Sequence, residues 1–361
     1  MISVQRTVYK NACVDGKITD ITVENGAFSD FTPTALPGID LKGARVYPGL
    51  IDIHSHGCVG LDSTNDPDGL ETMALYQAEH GITTWYPTTS TDEIGRLRRA
   101  TSQKITGLMG ANIPGFHMEG PYISAQKLGA MNRANLRPPL LAEFEAFEQV
   151  KLVTVAPELA GSEAFIRGCK AVVCLGHTVC DYETACSAAD AGAKCVTHIF
   201  NAMPPLNHRE PSLIGAAITK NMYVQVICDG IHIHPAVITA LYRIFGSERM
   251  ILISDSMAAT GIRENGAFLF GGQTIYLKDG VIRTQSGALA GSASNLFDCV
   301  KKAIAFGISE SEAFKMASET PAGLMGLKKG KLAIGFDADF LAVDSDLNLQ
   351  RVVIGGETVQ K

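Results

Sequence analysis

Eight short apolar runs separated by helix-length stretches fill residues 46–258 of this 361-residue chain, and that alternation narrows its possible folds more than any other feature. The runs lie at 46–53, 82–87, 113–117, 152–155, 171–175, 195–197, 223–228 and 250–253. Between them come segments such as 69–80 and 181–191, apolar at helical spacing and followed by Gly81 and Gly192. Glycine just past a helix is a common stop, because it takes a left-handed backbone without a Cβ clash. Asp181 stands where an N-cap is needed. Strand, helix, strand repeated in this way gives parallel strands with right-handed crossovers. Eight such units predict an α/β fold, a closed (β/α)8 TIM barrel. A doubly wound open sheet is the alternative that the pattern alone leaves open.

The two ends read differently. Asp15-Gly16, Asn25-Gly26 and Pro37-Gly38 punctuate short alternating runs before residue 47, which is hairpin chemistry. Residues 330–361 repeat that texture, with Gly335, Gly355 and Gly356 among short apolar runs. Neither end has enough apolar residues for its own core. The expected division is therefore a small β-sandwich domain from 1–46 and 330–361, with 47–329 as the barrel. A further Gly-rich hairpin, 268–282 around Asp279-Gly280, interrupts the chain after the eighth run.

Composition excludes several classes of function. Lys and Arg number 31 against 37 Asp and Glu, without a basic block, which argues against a nucleic-acid surface. No apolar stretch approaches the roughly 20 residues of a membrane span. The chain opens on Met1-Ile2-Ser3-Val4 with no signal-peptide pattern. Nine cysteines, an odd number with several in apolar runs, read as reduced thiols of a cytoplasmic protein.

Polar residues collect where the runs end, and in a barrel those ends form the open face. Seven of the nine histidines fall there: His54, His56, His117, His177, His198, His232 and His234. His54 and His56 stand two apart on one run, so both side chains face the same way. Imidazole nitrogen with carboxylate oxygen suits a borderline divalent cation, and a catalytic site keeps one position for water. His54 and His56 with Glu119, His177, His198 and Asp255 on four other run ends make a candidate metal centre. His117 reads better as a core or supporting histidine, and His234 as a loop residue. No Gly-x-Ser-x-Gly elbow and no glycine-rich phosphate loop in strand–helix context is present.

The segments carrying these residues resemble a known family. Pro48-Gly49 followed by Asp52-Ile53-His54-Ser55-His56-Gly57 is similar to the first-strand signature of the amidohydrolase superfamily. Within it, the chain resembles the N-acetylglucosamine-6-phosphate deacetylase family. The match runs through His117-Met118-Glu119-Gly120-Pro121, Gly176-His177-Thr178, Thr197-His198-Ile199-Phe200-Asn201-Ala202-Met203, Arg209-Glu210-Pro211, Asp229-Gly230-Ile231-His232 and Asp255-Ser256-Met257. These segments span essentially the whole chain in the family's order.

The resemblance implies roles position by position. Glu119, His177 and His198 match the ligands of a metal that all members bind. His54 and His56 match those of a second metal, which some members have lost. Two divalent ions per chain, of zinc, iron or manganese, are thus expected, with Asp255 as catalytic acid/base and metal contact. Asn201, Ala202 (through its backbone N–H), Arg209 and His232 match residues that bind the sugar phosphate. Arg209 matches one that reaches in from the neighbouring subunit of a homodimer. The implied reaction is hydrolysis of N-acetylglucosamine 6-phosphate to glucosamine 6-phosphate and acetate, the small amino-sugar phosphate being the only partner beyond the second subunit. One departure stands out: Met131 follows Leu128-Gly129-Ala130 where the family usually has a residue that touches substrate through a polar group. Methionine cannot donate a hydrogen bond. No motif distinguishes the galacto epimer of the substrate. Two further alternatives are a cyclic-amide hydrolase and an inactive scaffold, although the six candidate ligands argue against loss of activity.

Overall fold

The computed structural model describes residues 5–359; residues 1–4 and 360–361 of the expected terminal domain lie outside the described residues. Eight parallel strands form the predicted barrel: β1 (Leu50–Ser55), β2 (Ile82–Thr89), β3 (Phe116–Glu119), β4 (Val150–Val155), β5 (Val172–Leu175), β6 (Cys195–Val196), β7 (Tyr223–Ile227) and β8 (Met250–Ile253). Each pairs with its neighbour in sequence, which a doubly wound sheet does not do. The strands are buried on both faces, as parallel strands between a plug of side chains and a layer of helices must be. Ile51, Ile53, Leu152, Cys174, Ile227 and Ile251 belong to the interior plug. The larger cluster under the helices includes Trp85, Phe116, Phe165 and Leu213. The first and eighth strands meet beside the candidate site: Asp255 N–H donates to the His54 carbonyl at 2.9 Å, and Ser254 Oγ donates to Asp52 at 2.6 Å.

Helix ends follow local chemistry. The Tyr182–Ala191 helix begins at Asp181, whose carboxylate accepts from Thr184 N–H at 2.8 Å, and it ends at Gly192 with φ of 126°. The Leu70–Glu79 helix is followed by Gly81 at φ of 86°.

Strands from both termini share one further sheet, in the order Glu357–Thr358, Leu349–Ile354, Phe340–Val343, Arg45–Pro48, Arg6–Val14, Lys17–Glu24 and Ala27–Asp30, with Ile39–Asp40 beside Arg6–Val14. It encloses its own core, in which Tyr9 meets Phe340 edge-on at 4.9 Å between ring centroids.

Two strand boundaries differ from the sequence reading. Residues 46–48, with Arg45 before them, pair with Phe340–Val343 in the terminal sheet, and the chain passes into the barrel only at Gly49. A Cβ at Gly49 would fall 2.1 Å from Thr83 Oγ1, so no larger residue fits at that crossing. The third strand begins at Phe116, not Ile113, because residues 113–115 lead into it across Pro114. The hairpin after the eighth strand is a three-stranded sheet, Gly266–Phe270, Gln273–Lys278 and Val281–Thr284.

Candidate metal centre and active site

Six side chains from five strand ends converge at one end of the barrel. His54 lies in β1 and His56 one residue beyond it, Glu119 closes β3, and His177, His198 and Asp255 each lie two residues past β5, β6 and β8. They form two groups that could each hold a metal ion, His54 with His56 and Asp255, and Glu119 with His177 and His198; all six are buried. Glu119 stands between the groups. Its Oε1 lies 2.9 Å from His198 Nε2, 3.2 Å from His177 Nε2 and 3.4 Å from His54 Nε2, while Oε2 lies 3.0 Å from His56 Nε2. Asp255 Oδ1 is 3.5 Å from both His54 Nε2 and His56 Nε2.

This donor set fits a cation. His177 Nε2 and His198 Nε2 face one another at 3.1 Å, and because the Lys127 carbonyl takes the hydrogen on His177 Nδ1, the neutral His177 ring turns a lone pair toward this point. His54 Nε2 is fully buried and has no hydrogen-bond partner. Burial opposes charge on His54, but Glu119 and Asp255 outweigh it and push its pKa up to about 10. Burial likewise opposes ionisation of Glu119, yet His54 and His177 hold its carboxyl well below the usual carboxylate range. The cluster thus calls for positive charge among its carboxylates, and imidazolium is what supplies it when protons are the only cations available.

Backbone geometry also singles out these positions. His177, His198 and Asp255 have φ of 48°, 25° and 47°, in the left-handed region that non-glycine residues avoid. Such conformations cost about 1–3 kcal/mol each and persist where the surroundings over-determine them. Supporting contacts complete the picture. His177 Nδ1 donates to the Lys127 carbonyl at 2.7 Å, and Gly129 abuts the same ring, where a Cβ would lie 3.2 Å from Cε1. Asp52, beneath the site, has its carboxyl pushed up to about 6 by burial, against the bond from Ser254.

A cavity of about 400 Å³ opens above the cluster, lined by His56, Glu119, His177, His198 and Asp255 together with Asn201, Ala202 and His232. Asp229 fixes His232: its Oδ2 accepts from Nδ1 at 2.7 Å, and its Oδ1 accepts from His232 N–H at 2.9 Å. Ala202, at φ of 50°, belongs to the same strained turn as His198.

Arg209 is not brought to this cavity. It lies exposed on the 204–210 loop. His117 is fully buried, bonded through Nε2 to Thr154 Oγ1 at 2.9 Å and edge-on to His54 at 4.5 Å. Burial, then the neighbouring His54 charge, holds its pKa well below the ordinary value, so it supports the ligands as a neutral ring. His234 caps the Pro235–Phe245 helix, accepting from Ala236 N–H at 3.2 Å.

One feature of the cavity escaped sequence reasoning. Phe270, from the three-stranded sheet after β8, stands edge-on to His56 at 4.9 Å. With Met131, Met257 and Ala290 it forms an apolar wall of the cavity. Met131 Sδ accepts from Thr91 N–H at 3.3 Å, so its sulfur serves the wall and presents no donor to a substrate. Only the hairpin signal at Asp279-Gly280 announced this sheet, and nothing local told where it would fold.

Comparison with known proteins agrees with this geometry. Residues 45–359 match the Amidohydrolase family. An N-acetylglucosamine-6-phosphate deacetylase of Vibrio furnissii is 37% identical over 89% of this chain and 84% of its own length. An N-acetylgalactosamine-6-phosphate deacetylase of Escherichia coli O157:H7 is 33% identical over 93% of each. Among solved structures, the N-acetylglucosamine-6-phosphate deacetylase of Thermotoga maritima superposes with a TM-score of 0.91 at 28% identity, covering 98% of this chain and all (100%) of that one. A variant of the Mycobacterium smegmatis enzyme, in complex with N-acetyl-D-glucosamine-6-phosphate, superposes with a TM-score of 0.90 at 31% identity over 99% of this chain and 100% of its own. The chain is therefore a hydrolase of the amidohydrolase family, and within it belongs to the N-acetylglucosamine-6-phosphate deacetylases.

Proposed function

We propose that this protein hydrolyses the acetamide of N-acetylglucosamine 6-phosphate to glucosamine 6-phosphate and acetate. The observation that carries the reading is a single cavity lined by Asp255, His56, Glu119, His177, His198, Asn201 and His232. Two divalent ions fit, one among Glu119, His177 and His198, the other among His54, His56 and Asp255. Nitrogen and oxygen ligation suits zinc, iron or manganese. Bound there, such ions supply Lewis-acid polarisation of the amide oxygen and a water acidic enough to act near neutral pH.

The remaining chemistry falls to the chain. Asp255 accepts the proton of the attacking water and returns it to the departing nitrogen, one carboxylate serving as base and then acid. His232, oriented by Asp229, and Asn201 with the Ala202 N–H hold the sugar phosphate. Arg209, remote from its own cavity, binds phosphate in the site of a second subunit, which makes the active form a homodimer. Its planar fork suits a phosphate's paired oxygens. The wall of Phe270 and Met131 keeps bulk water away from the reacting amide.

The two separate cores support a division into a terminal β-domain built from both ends, 330–361 included, and a barrel between them that begins at Gly49 rather than at residue 47. Nine free thiols fit a reducing, cytoplasmic compartment, and no described helix is long and apolar enough to cross a membrane. The 33% identity to an N-acetylgalactosamine-6-phosphate deacetylase favours a second reading, the galacto epimer. Acetate release measured on both sugar phosphates, with zinc or manganese added, tests the proposal. A higher kcat/KM on the gluco compound supports it, a galacto preference replaces it with the second reading, and no release from either refutes both.

A further inference from the structure

Gln225 is the polar side chain at the root of the ligand cluster. It lies in β7, is fully buried, and reaches into the barrel interior, where Ile51, Ile53, Leu152, Cys195 and Ile251 make an apolar plug. A primary amide there is costly unless its hydrogen bonds are made. An apolar residue would fill the place at less cost, so the amide needs a reason.

Its partners supply one. Gln225 Oε1 lies 2.9 Å from His54 Nδ1, and Nε2 donates to Cys174 Sγ at 3.8 Å. The amide thus turns its oxygen toward the histidine and its nitrogen toward the thiol, which accepts only weakly. With the oxygen there, Nδ1 carries the hydrogen, and in the neutral ring Nε2 is left with the lone pair that a metal ion would take. That nitrogen has no partner in the protein and lies 3.4 Å from Glu119 Oε1 and 3.5 Å from Asp255 Oδ1. Without Gln225, His54 gains the option of placing its hydrogen on Nε2 and bonding Glu119, which blocks that nitrogen as a ligand. Among the four clustered histidines, His56 and His198 have an unpartnered Nδ1. His177 is held by a main-chain carbonyl, so only His54 is oriented by a replaceable side chain.

We propose that Gln225 is a positioning residue for the second metal ion, fixing His54 with Nε2 presented to the site. The inference rests on the two-ion reading above. Partners that orient ligands in this way are typically worth 10–100-fold in metal affinity.

Zinc content of the purified protein, followed through a chelator titration, tests it. Wild type should hold two zinc ions. Gln225→Met, of similar volume, should release one of them at about 10–100-fold lower chelator strength while keeping the other. The melting temperature of its metal-free form should match that of wild type. Gln225→Glu keeps an oxygen acceptor and should hold both ions at least as tightly. Retention of both ions with unchanged affinity by Gln225→Met overturns the proposal and leaves the two-ion reading standing. A wild type that binds one ion overturns that reading and the proposal with it. Loss of both ions from Gln225→Met, with a lowered metal-free melting temperature, assigns Gln225 a structural role instead. If Gln225→Met does not fold, Gln225→Glu decides alone, since weaker binding of the second ion by that variant overturns the proposal.

Discussion

In the proposed reaction Asp255 meets two demands with one carboxylate, since it faces His54 and His56 at 3.5 Å and also lines the cavity. Asp255→Asn keeps the shape and removes the base. The expected loss in kcat is about 10²–10⁴-fold, the range for general acid–base catalysis, with metal content by elemental analysis largely kept. Turnover near wild type would end the assignment. The neighbouring histidines carry a second prediction. Protons balance the buried carboxylates less well than a divalent ion does, so chelation should lower the melting temperature. An ion at a hundred times its Kd that binds only the native state adds about 2.7 kcal/mol. A melting curve indifferent to chelator and to added zinc would contradict a structural contribution from the metal.

Local chemistry sets where elements begin and end. Asp181 caps the Tyr182–Ala191 helix through one side-chain bond to Thr184 N–H, and Asp181→Ala should cost about 0.5–2 kcal/mol in urea unfolding. Gly49 matters for a different reason. It passes the chain from terminal sheet to barrel, pressed against Thr83, and Gly49→Ala should destabilise the fold by about 1–3 kcal/mol through overpacking. Equal stability of that variant by denaturant titration would mean that β2 yields at Thr83. The sequence pattern located both helices bounding these strands to within a residue or so. It misplaced residues 46–48, because an apolar run reads alike whichever sheet its backbone pairs with.

Assembly is the scale at which Arg209 belongs. Its exposed place outside the cavity of its own chain makes sense if it completes a neighbour's site. Arg209→Ala should weaken phosphorylated substrate by roughly 2–5 kcal/mol, the cost of stripping one partner from a charge pair, and leave the unphosphorylated acetyl sugar almost unaffected. Mixed with Asp255→Asn protein, it should regain activity, because a heterodimer carries one site with both residues intact. A mixture that exchanges subunits and stays inactive would show that Arg209 does not cross an interface, and an active monomer would exclude the dimer.

Period and spacing carry the barrel in the sequence itself: eight apolar runs with capped helices between them admit few other solutions, and the run ends mark the reactive face. The clustering of the six candidate ligands was legible for the same reason, since His54, His56, Glu119, His177, His198 and Asp255 each stand at or just past a strand end. What lay beyond the sequence depends on long-range approach. Glu119 between two groups, Phe270 folded back against His56, and Gln225 beneath His54 join residues 63, 214 and 171 positions apart. No local rule encodes such pairs, because they arise only when the strands close into a ring and side chains from distant segments compete for one volume. The left-handed backbone at His177, His198 and Asp255 is likewise imposed from outside, by packing that outweighs the preference of each residue.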